Sequence, residues 1–183
     1  MEVSVTITNL KEVVEKVHDI PGASRFALQQ SIMYALRRGR TVAAKAATER
    51  YNVPYRSVLK AIGTPHLNGL IGSLNVSGSR FPLSTFPTRE IFPFGVAIQE
   101  LRTDVALPIN LLHAFVRGGR VMERETPATT RYPIMPMVGL SAPAMIAQKS
   151  QVFPILEKAL QEDVDTELER LVRVILSGDV VPR

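Results

Sequence analysis

The chain has 183 residues, 45% hydrophobic and 21% charged, proportions that are ordinary for a globular domain and exclude an intrinsically disordered chain. It contains no cysteine, which excludes a disulfide framework, a thiolate metal site and a cysteine nucleophile. Residues 1–91 hold 12 basic and 6 acidic side chains, residues 92–150 hold 6 and 4, and residues 151–183 hold 4 and 7. This unevenness indicates either subunits that pack through complementary faces or solvated helix faces of opposite sign.

The amino-terminal residues are predicted to form a strand and then a short helix. Residues 1–8 alternate apolar and polar side chains, which is the period of a half-buried strand. Asn9 is the expected N-cap of a helix over residues 10–17, which ends before Pro21. Neither a signal peptide nor a membrane span is expected, because the first residues are acidic and no run of about 18 apolar residues occurs.

A long basic helix is predicted from Gly22 to Tyr51. Arg37, Arg38 and Arg40 lie largely off its apolar face, whereas Gly39 is a point where a second element can approach closely. The apolar face is formed by positions that recur at helical spacing: Leu28, Ile32, Ala35, Leu36, Ala43 and Ala46.

After a short helix over residues 55–62, the chain is predicted to be β-rich from about residue 67. Short β-like runs separated by Gly, Pro, Ser and Thr predict strands over residues 69–76 and 95–101, with a loop between them. That loop has much aromatic surface for a solvated segment, so its rings are expected either to pack on their own domain or to dock on a neighbouring subunit. These candidate interface residues are Phe81, Phe86, Phe92 and Phe94.

A β-hairpin is predicted over residues 115–122, FVRGGRVM, because a Gly-Gly pair can take positive φ at both central turn positions. A further strand is predicted over residues 131–139, and its two prolines confine it to a sheet edge or a short run. Tyr132 and Ile134 of that strand are candidate subunit contacts.

The carboxyl-terminal part is predicted to be helical. Ser141 and Pro143 are typical of an N-cap and a first-turn proline. A long amphipathic helix is predicted over residues 151–176, and Gly178 closes it. Its apolar stripe consists of Leu156, Leu160, Val164, Leu168, Leu171 and Ile175.

Together these elements predict one α+β domain over residues 1–183. It has a helical part over about residues 9–62, a β-rich part over about residues 67–138 and carboxyl-terminal helices over about residues 141–177. We expect the amino-terminal helices and the long carboxyl-terminal helix to pack on a mostly antiparallel sheet of about four or five strands.

No pattern of catalytic or metal-ligating residues stands out. His18, His66 and His113 are far apart in sequence and have no partner ligand three or four residues away. The acidic residues between 162 and 169 lie on a leucine stripe of helical period, so they are expected to form a solvated helix face. Ser141 lacks the second glycine of a nucleophile elbow and is assigned the capping role. The chain is therefore predicted to be no enzyme and to use no cofactor, with a small hydrolase as a residual option.

The arginines are the candidates for contact with phosphate. Arg37, Arg38 and Arg40 lie on the basic helix, and Arg117 and Arg120 flank the hairpin turn. Arginine neutralises phosphate without reading base sequence, so these residues are predicted to face a lumen, DNA or a subunit interface. The alternative is that the hairpin pair are cross-strand neighbours at a solvated tip.

The second half of the chain resembles the minor tail protein Z family of lambda-like phages and prophages. The resemblance is best over residues 112–178 and is carried mostly by element order over residues 9–62. The residues that carry it are HAFV at 113–116, an arginine at 124, RYPI at 131–134, GLSAPAM at 139–145, and the terminal amphipathic helix.

The resemblance implies a virion protein that completes the head-proximal end of the tail tube and takes part in head–tail joining. It also implies a homo-oligomeric ring, with six copies expected, in contact with a tail terminator, tail tube or tape-measure protein and with head connector proteins. Double-stranded DNA would pass transiently through the lumen, and no membrane would be involved. The expected location is the virion, after assembly in the host cytoplasm.

A sequence-independent DNA-binding protein is the alternative function, with the basic helix over residues 23–51 as its binding element. Few aromatic residues are interleaved with the arginines of that helix, and the acidic carboxyl-terminal helix would repel the same ligand.

Overall fold

A computed structural model of the protein describes residues 2–4, 22–91, 95–102, 108–124, 134–147 and 151–178. Two long helices and several short strands make up these stretches, so the predicted α+β class is confirmed. Each long helix matches its predicted bounds closely. The helix predicted over residues 10–17 lies outside the described residues. The helices are α1 (Ala23–Arg50), α2 (Tyr55–Ala61), α3 (Ala142–Ile146) and α4 (Val152–Leu176).

The strands of the described residues pair antiparallel in four small sheets, with the orders β1-β3-β2, β5-β6-β7, β8-β9-β10 and β4-β11. A single 3₁₀ turn over Leu83–Thr85 follows β4. The strands are β1 (Glu2–Ser4), β2 (His66–Asn68), β3 (Ile71–Asn75), β4 (Arg80–Pro82), β5 (Thr88–Glu90), β6 (Val96–Ile98), β7 (Ile109–Leu111), β8 (Phe115–Arg117), β9 (Arg120–Arg124), β10 (Ile134–Pro136) and β11 (Val138–Ser141).

The expectation of one sheet with four or five strands is wrong. Each strand has only three to five residues, and glycine or proline near its ends redirects the chain before a wider sheet forms. The strand predicted over residues 69–76 is β3, and Gly69, with a φ of 63°, joins it to the preceding strand β2 in a hairpin. The described part of the strand predicted over residues 131–139 is divided, because Met137 donates its N–H to the carbonyl of Val121 between β10 and β11.

The two long helices pack antiparallel and form the centre of the core. Leu28 of α1 packs with Leu168 of α4, whereas Gly39, further along α1, meets Leu160 near the start of α4. A Cβ atom on residue 39 would lie 2.5 Å from Leu160 Cδ2, so only glycine allows this approach without a shift. Every apolar position predicted for the two helices is buried.

The last helix therefore packs mainly on α1, and not on a sheet as expected. The reason is geometric, since a 25-residue amphipathic helix needs a partner of similar length to cover its stripe. Strands of three to five residues do not provide one. The sheets lie instead against other parts of α1, where Gly72 of β3 contacts the side chains of Ile32 and Leu36.

We predict that Leu168→Ala lowers the free energy of unfolding by about 2 to 5 kcal/mol, because it empties volume at the helix contact. Glu157→Ala is the control on the same helix: the Glu157 side chain is exposed, so its loss should change stability by less than about 0.5 kcal/mol. Urea denaturation of both variants measures the difference. Equal losses would mean that the buried face of α4 is assigned incorrectly.

Candidate interaction surfaces

The predicted hairpin is confirmed. Gly118 and Gly119 join β8 to β9 with φ values of 58° and 72°, so the turn has the positive φ at both positions that a type I′ turn requires. Arg117 and Arg120 lie directly opposite one another across this turn, and both are exposed. Like charges in directly opposed positions destabilise a strand pair, and neither arginine has a carboxylate partner among the described residues.

A third strand, β10, pairs with the other edge of β9, and we call β8, β9 and β10 the ribbon. Strand pairing and the alternation of side chains place three arginines on one face of it. On the opposite face, Val121 is only 2% exposed and joins the core. The first face, none of whose side chains is buried, we call the basic face; it consists of Phe115, Arg117, Arg120, Met122, Arg124, Ile134 and Pro136.

Arg124 was not among the predicted site residues. Its guanidinium carbon lies 5.8 Å from the centroid of the Phe115 ring, which is cation–π geometry. Residues two apart in a strand lie on the same face, so the sequence could have placed Arg124 beside Arg120 and Met122. This prediction requires a strand that extends to residue 124, as it does in the structure.

The arginines of α1 have three different roles. Arg38 forms an ion pair with Asp163 of α4, with Nη1 2.9 Å from Oδ1, and its guanidinium also lies over the ring of Tyr34. Arg40 donates to the backbone carbonyls of Leu59 and Ile62, each at 3.1 Å, and so holds the end of α2. Arg40 is therefore corrected to a structural role. Of the three predicted contact residues on α1, only Arg37 is exposed with no ion-pair partner among the described residues.

The Arg38 ion pair is partly offset by desolvation. A hydrogen bond with Tyr34 and the charge of Asp163 raise the pKa of Arg38. The pKa of Asp163 is nevertheless also raised, because burial of the carboxyl outweighs the attraction of the guanidinium. The burial of Asp163 therefore offsets part of the attraction in this ion pair between α1 and α4.

The described part of the aromatic loop packs on its own domain. Phe86 is 2% exposed and lies in the main core, so its assignment as a subunit contact is corrected. Phe81 is half-buried and packs against the same core. Ile134 is half-buried on the ribbon, and Phe92, Phe94 and Tyr132 lie outside the described residues.

The acidic residues of α4 divide into paired and unpaired groups. Asp163 binds Arg38, and Glu167 accepts two hydrogen bonds from Arg170, which lowers the pKa of Glu167. Of the remaining four, Glu157, Glu162 and Glu169 are exposed, whereas Asp165 is half-buried. Glu162 and Glu169 lie seven residues apart on one side of the helix, and we call them the acidic face. Glu162 has only a 3.7 Å contact with Lys158, both side chains being exposed.

An open cleft of about 420 Å³ lies beside the sheet of β5, β6 and β7. Its polar lining includes Arg89 and the side chain of Asn52, which already donates to the backbone carbonyls of Gln99 and Leu101 at 3.0 and 2.9 Å.

Among the residues that the structure describes, no group of three or more His, Cys, Asp or Glu side chains could hold a metal ion. Ser141 accepts a bond from the Ala144 N–H at 3.4 Å, which confirms its role as an N-cap.

Glu100 is a partly buried carboxylate that sequence reasoning missed. Its carboxylate lies against Gly139, next to the side chains of Phe86 and Leu83. Burial raises the pKa of Glu100, and a hydrogen bond from the backbone of Leu140 partly opposes this effect. Nothing in the local sequence marks this residue, because its apolar neighbours come from distant segments.

No family model, curated protein or solved structure matches this chain. In the described part of the chain, no helix is both long and apolar enough to cross a membrane.

We predict that Glu100→Gln makes the protein relatively more stable as the pH rises. Because the folded-state pKa is raised, the favourable contribution of the protonated carboxyl is complete below the unfolded-state pKa and is lost as the pH rises through the folded-state value. The stability difference between variant and wild type should therefore shift toward the variant from about pH 4 to pH 7. Urea denaturation at both pH values measures this shift.

Glu90→Gln is the control, because Glu90 is an exposed carboxylate on β5. It should give the same small stability difference at both pH values. A pH-independent result for Glu100→Gln as well would contradict the assignment of a desolvated carboxyl at this position.

Proposed function

We propose that this protein is a structural, non-enzymatic component of a phage or prophage tail, which completes the head-proximal end of the tail tube and takes part in head–tail joining. The resemblance of residues 112–178 to the minor tail protein Z family is the basis of the proposal. One structural observation supports it above the others: the resembling segment contains a ribbon whose basic face has no partner within the described chain.

The ribbon has the features of a surface that binds another protein. Its outer strands β8 and β10 are edge strands in the described sheet, and such edges can pair with another chain. Met135 and Val116 are 50% and 37% exposed on the face opposite the arginines. Exposed apolar side chains beside a strand edge favour burial in an assembly.

In this role the protein assembles as a ring, with six copies expected from the resemblance. Its neighbours are a tail terminator, a tail tube or tape-measure protein and the head connector proteins. DNA passes through the lumen without tight binding. The protein is located at the head-proximal end of the virion tail and, during assembly, in the host cytoplasm.

Sequence-independent DNA binding is the second candidate function, and one observation favours it. Arg37 and Lys45 of α1 and Arg56 and Lys60 of α2 are exposed, with no carboxylate partner among the described residues. These two helices are in contact, and each carries two of these cations. Against this function, Arg38 and Arg40 are engaged within the fold and are not free to bind phosphate.

We predict that a phage lacking this protein produces tails that do not join heads. The expected particles are separate filled heads and tails in electron micrographs, with loss of infectivity, and the wild-type gene supplied from a plasmid should restore joining. Normal joined virions in the absence of the protein would remove the basis of the tail-completion proposal.

A titration with duplex DNA separates the two candidate functions. We expect weak binding at physiological salt, because tight phosphate contacts would hinder the passage of DNA. If DNA binding is the function, log affinity should fall by about 0.9 per log unit of salt for each phosphate contact. The test variant is Arg37→Gln/Lys45→Gln/Arg56→Gln/Lys60→Gln, which spares the structural Arg38 and Arg40, and Arg117→Gln/Arg120→Gln is the comparison.

Sub-micromolar affinity that is lost in the fourfold variant and retained in the hairpin variant would favour DNA binding over the tail role. Weak affinity that none of these changes alters would agree with the tail role.

A further inference from the structure

We propose that the basic face of the ribbon docks on the acidic face of α4 in a second copy of this chain. This contact deepens the proposed function and takes its biological setting from it, since a ring requires a contact between successive copies. The contact itself can be tested on the purified protein, without other phage components.

The basic face contributes three guanidinium groups that the fold does not neutralise. Arg117 and Arg120 are directly opposed at the exposed tip, an arrangement that weakens the hairpin unless an anion lies against it. Arg124 is held over Phe115 on the same face. The half-buried side chains of Met122 and Ile134 lie between and beside these arginines, so the face combines positive charge with apolar area.

The acidic face contributes two exposed carboxylates that α4 does not fully neutralise. Glu169 is exposed with no ion-pair partner among the described residues, and Glu162 has only its loose contact with Lys158. Asp165, which lies between them in the sequence, is not part of this face, because it is half-buried and accepts a hydrogen bond from Gln161.

Exposed apolar side chains flank these carboxylates along the helix. Ile155 and Leu176 are 52% and 57% exposed. With Glu162 and Glu169 they recur every seven residues, which places all four on one side of α4. The acidic stretch of α4 ends before Arg173, which lies in the last turn of the helix. The negative charge of α4 is therefore concentrated in the middle of the helix.

The two faces match in sign and in length. From Arg120 to Arg124 a strand extends about 13 Å, and from Glu162 to Glu169 a helix rises about 11 Å. Within one chain, the described residues form no ion pair between the ribbon and α4. Both charged faces therefore remain available to another copy.

The contact is heterologous, because the two surfaces that meet are different. Each copy uses its ribbon toward one neighbour and its α4 toward the other, and such contacts close into a ring when the rotation between copies is a whole fraction of a turn. Charge pairs of this kind set register and specificity between subunits.

The test is a reciprocal charge reversal in the full-length protein, with association measured by sedimentation velocity and light scattering. The ribbon variant is Arg117→Glu/Arg120→Glu/Arg124→Glu, and the helix variant is Glu162→Lys/Glu169→Lys. Arg56→Glu/Lys60→Glu is the control, because it reverses exposed charges on α2 away from both faces. The changed residues are exposed, and circular dichroism and melting of each variant show whether the fold is kept.

We expect the wild type and the control to associate, and each reversal variant alone to be weakened at least tenfold. A mixture of the two reversal variants should recover association. In that mixture the glutamates of one ribbon meet the lysines of the other helix, and the unaltered ribbon and helix also meet. High salt should weaken every one of these complexes.

The contact is overturned if the folded wild type is a monomer, if either reversal leaves association unchanged, or if the mixture does not recover it. It is also overturned if the ribbon variant loses duplex DNA binding while its self-association is unchanged. The tail role fails separately: association with the expected charge dependence, in a phage whose heads and tails join normally without the protein, would reject the function and retain the contact.

Discussion

The close contact between α1 and α4 is the constraint on which the rest of the structure depends. Gly39 lacks a side chain at the point where Leu160 fills the space between the helices. Ala35, Ala43 and Ala47 are also fully buried along α1, so this helix presents a shallow surface to larger side chains. Dispersion and burial act along the whole length of both helices, and this contact fixes their separation.

The charge asymmetry of the chain serves two purposes. Part of it is used internally, because Arg38 of the basic helix pairs with Asp163 of the acidic helix and Arg40 caps the carbonyls at the end of α2. The charges on the ribbon, and the other exposed charges of α1, α2 and the outer side of α4, form no such contact with another element of the described chain. This second group is available for binding between molecules.

The β-rich part consists of short strands that follow the surface of the helical pair. Among the described strands, β3, β6 and β9 bury one or two residues each, as Val121 does on the ribbon and Leu74 does on β3. The other face of each strand is then free to vary without loss of the core. This explains how the ribbon carries opposed arginines that do not stabilise it, since the helices supply most of the buried area.

The sequence alone determined the two long helices, their buried faces, the hairpin turn and the capping role of Ser141, because helical period, glycine φ and capping chemistry are local properties. Only the tertiary structure decided that α4 packs on α1, that the strands divide into four sheets, and that Phe86 belongs to the core. It also decided that Arg38 and Arg40 contact other parts of the fold, that Arg124 lies over Phe115, and that Glu100 is partly buried. Those outcomes depend on which distant segments meet, and a side chain's exposure, partner and pKa follow from that meeting and not from its neighbours in sequence.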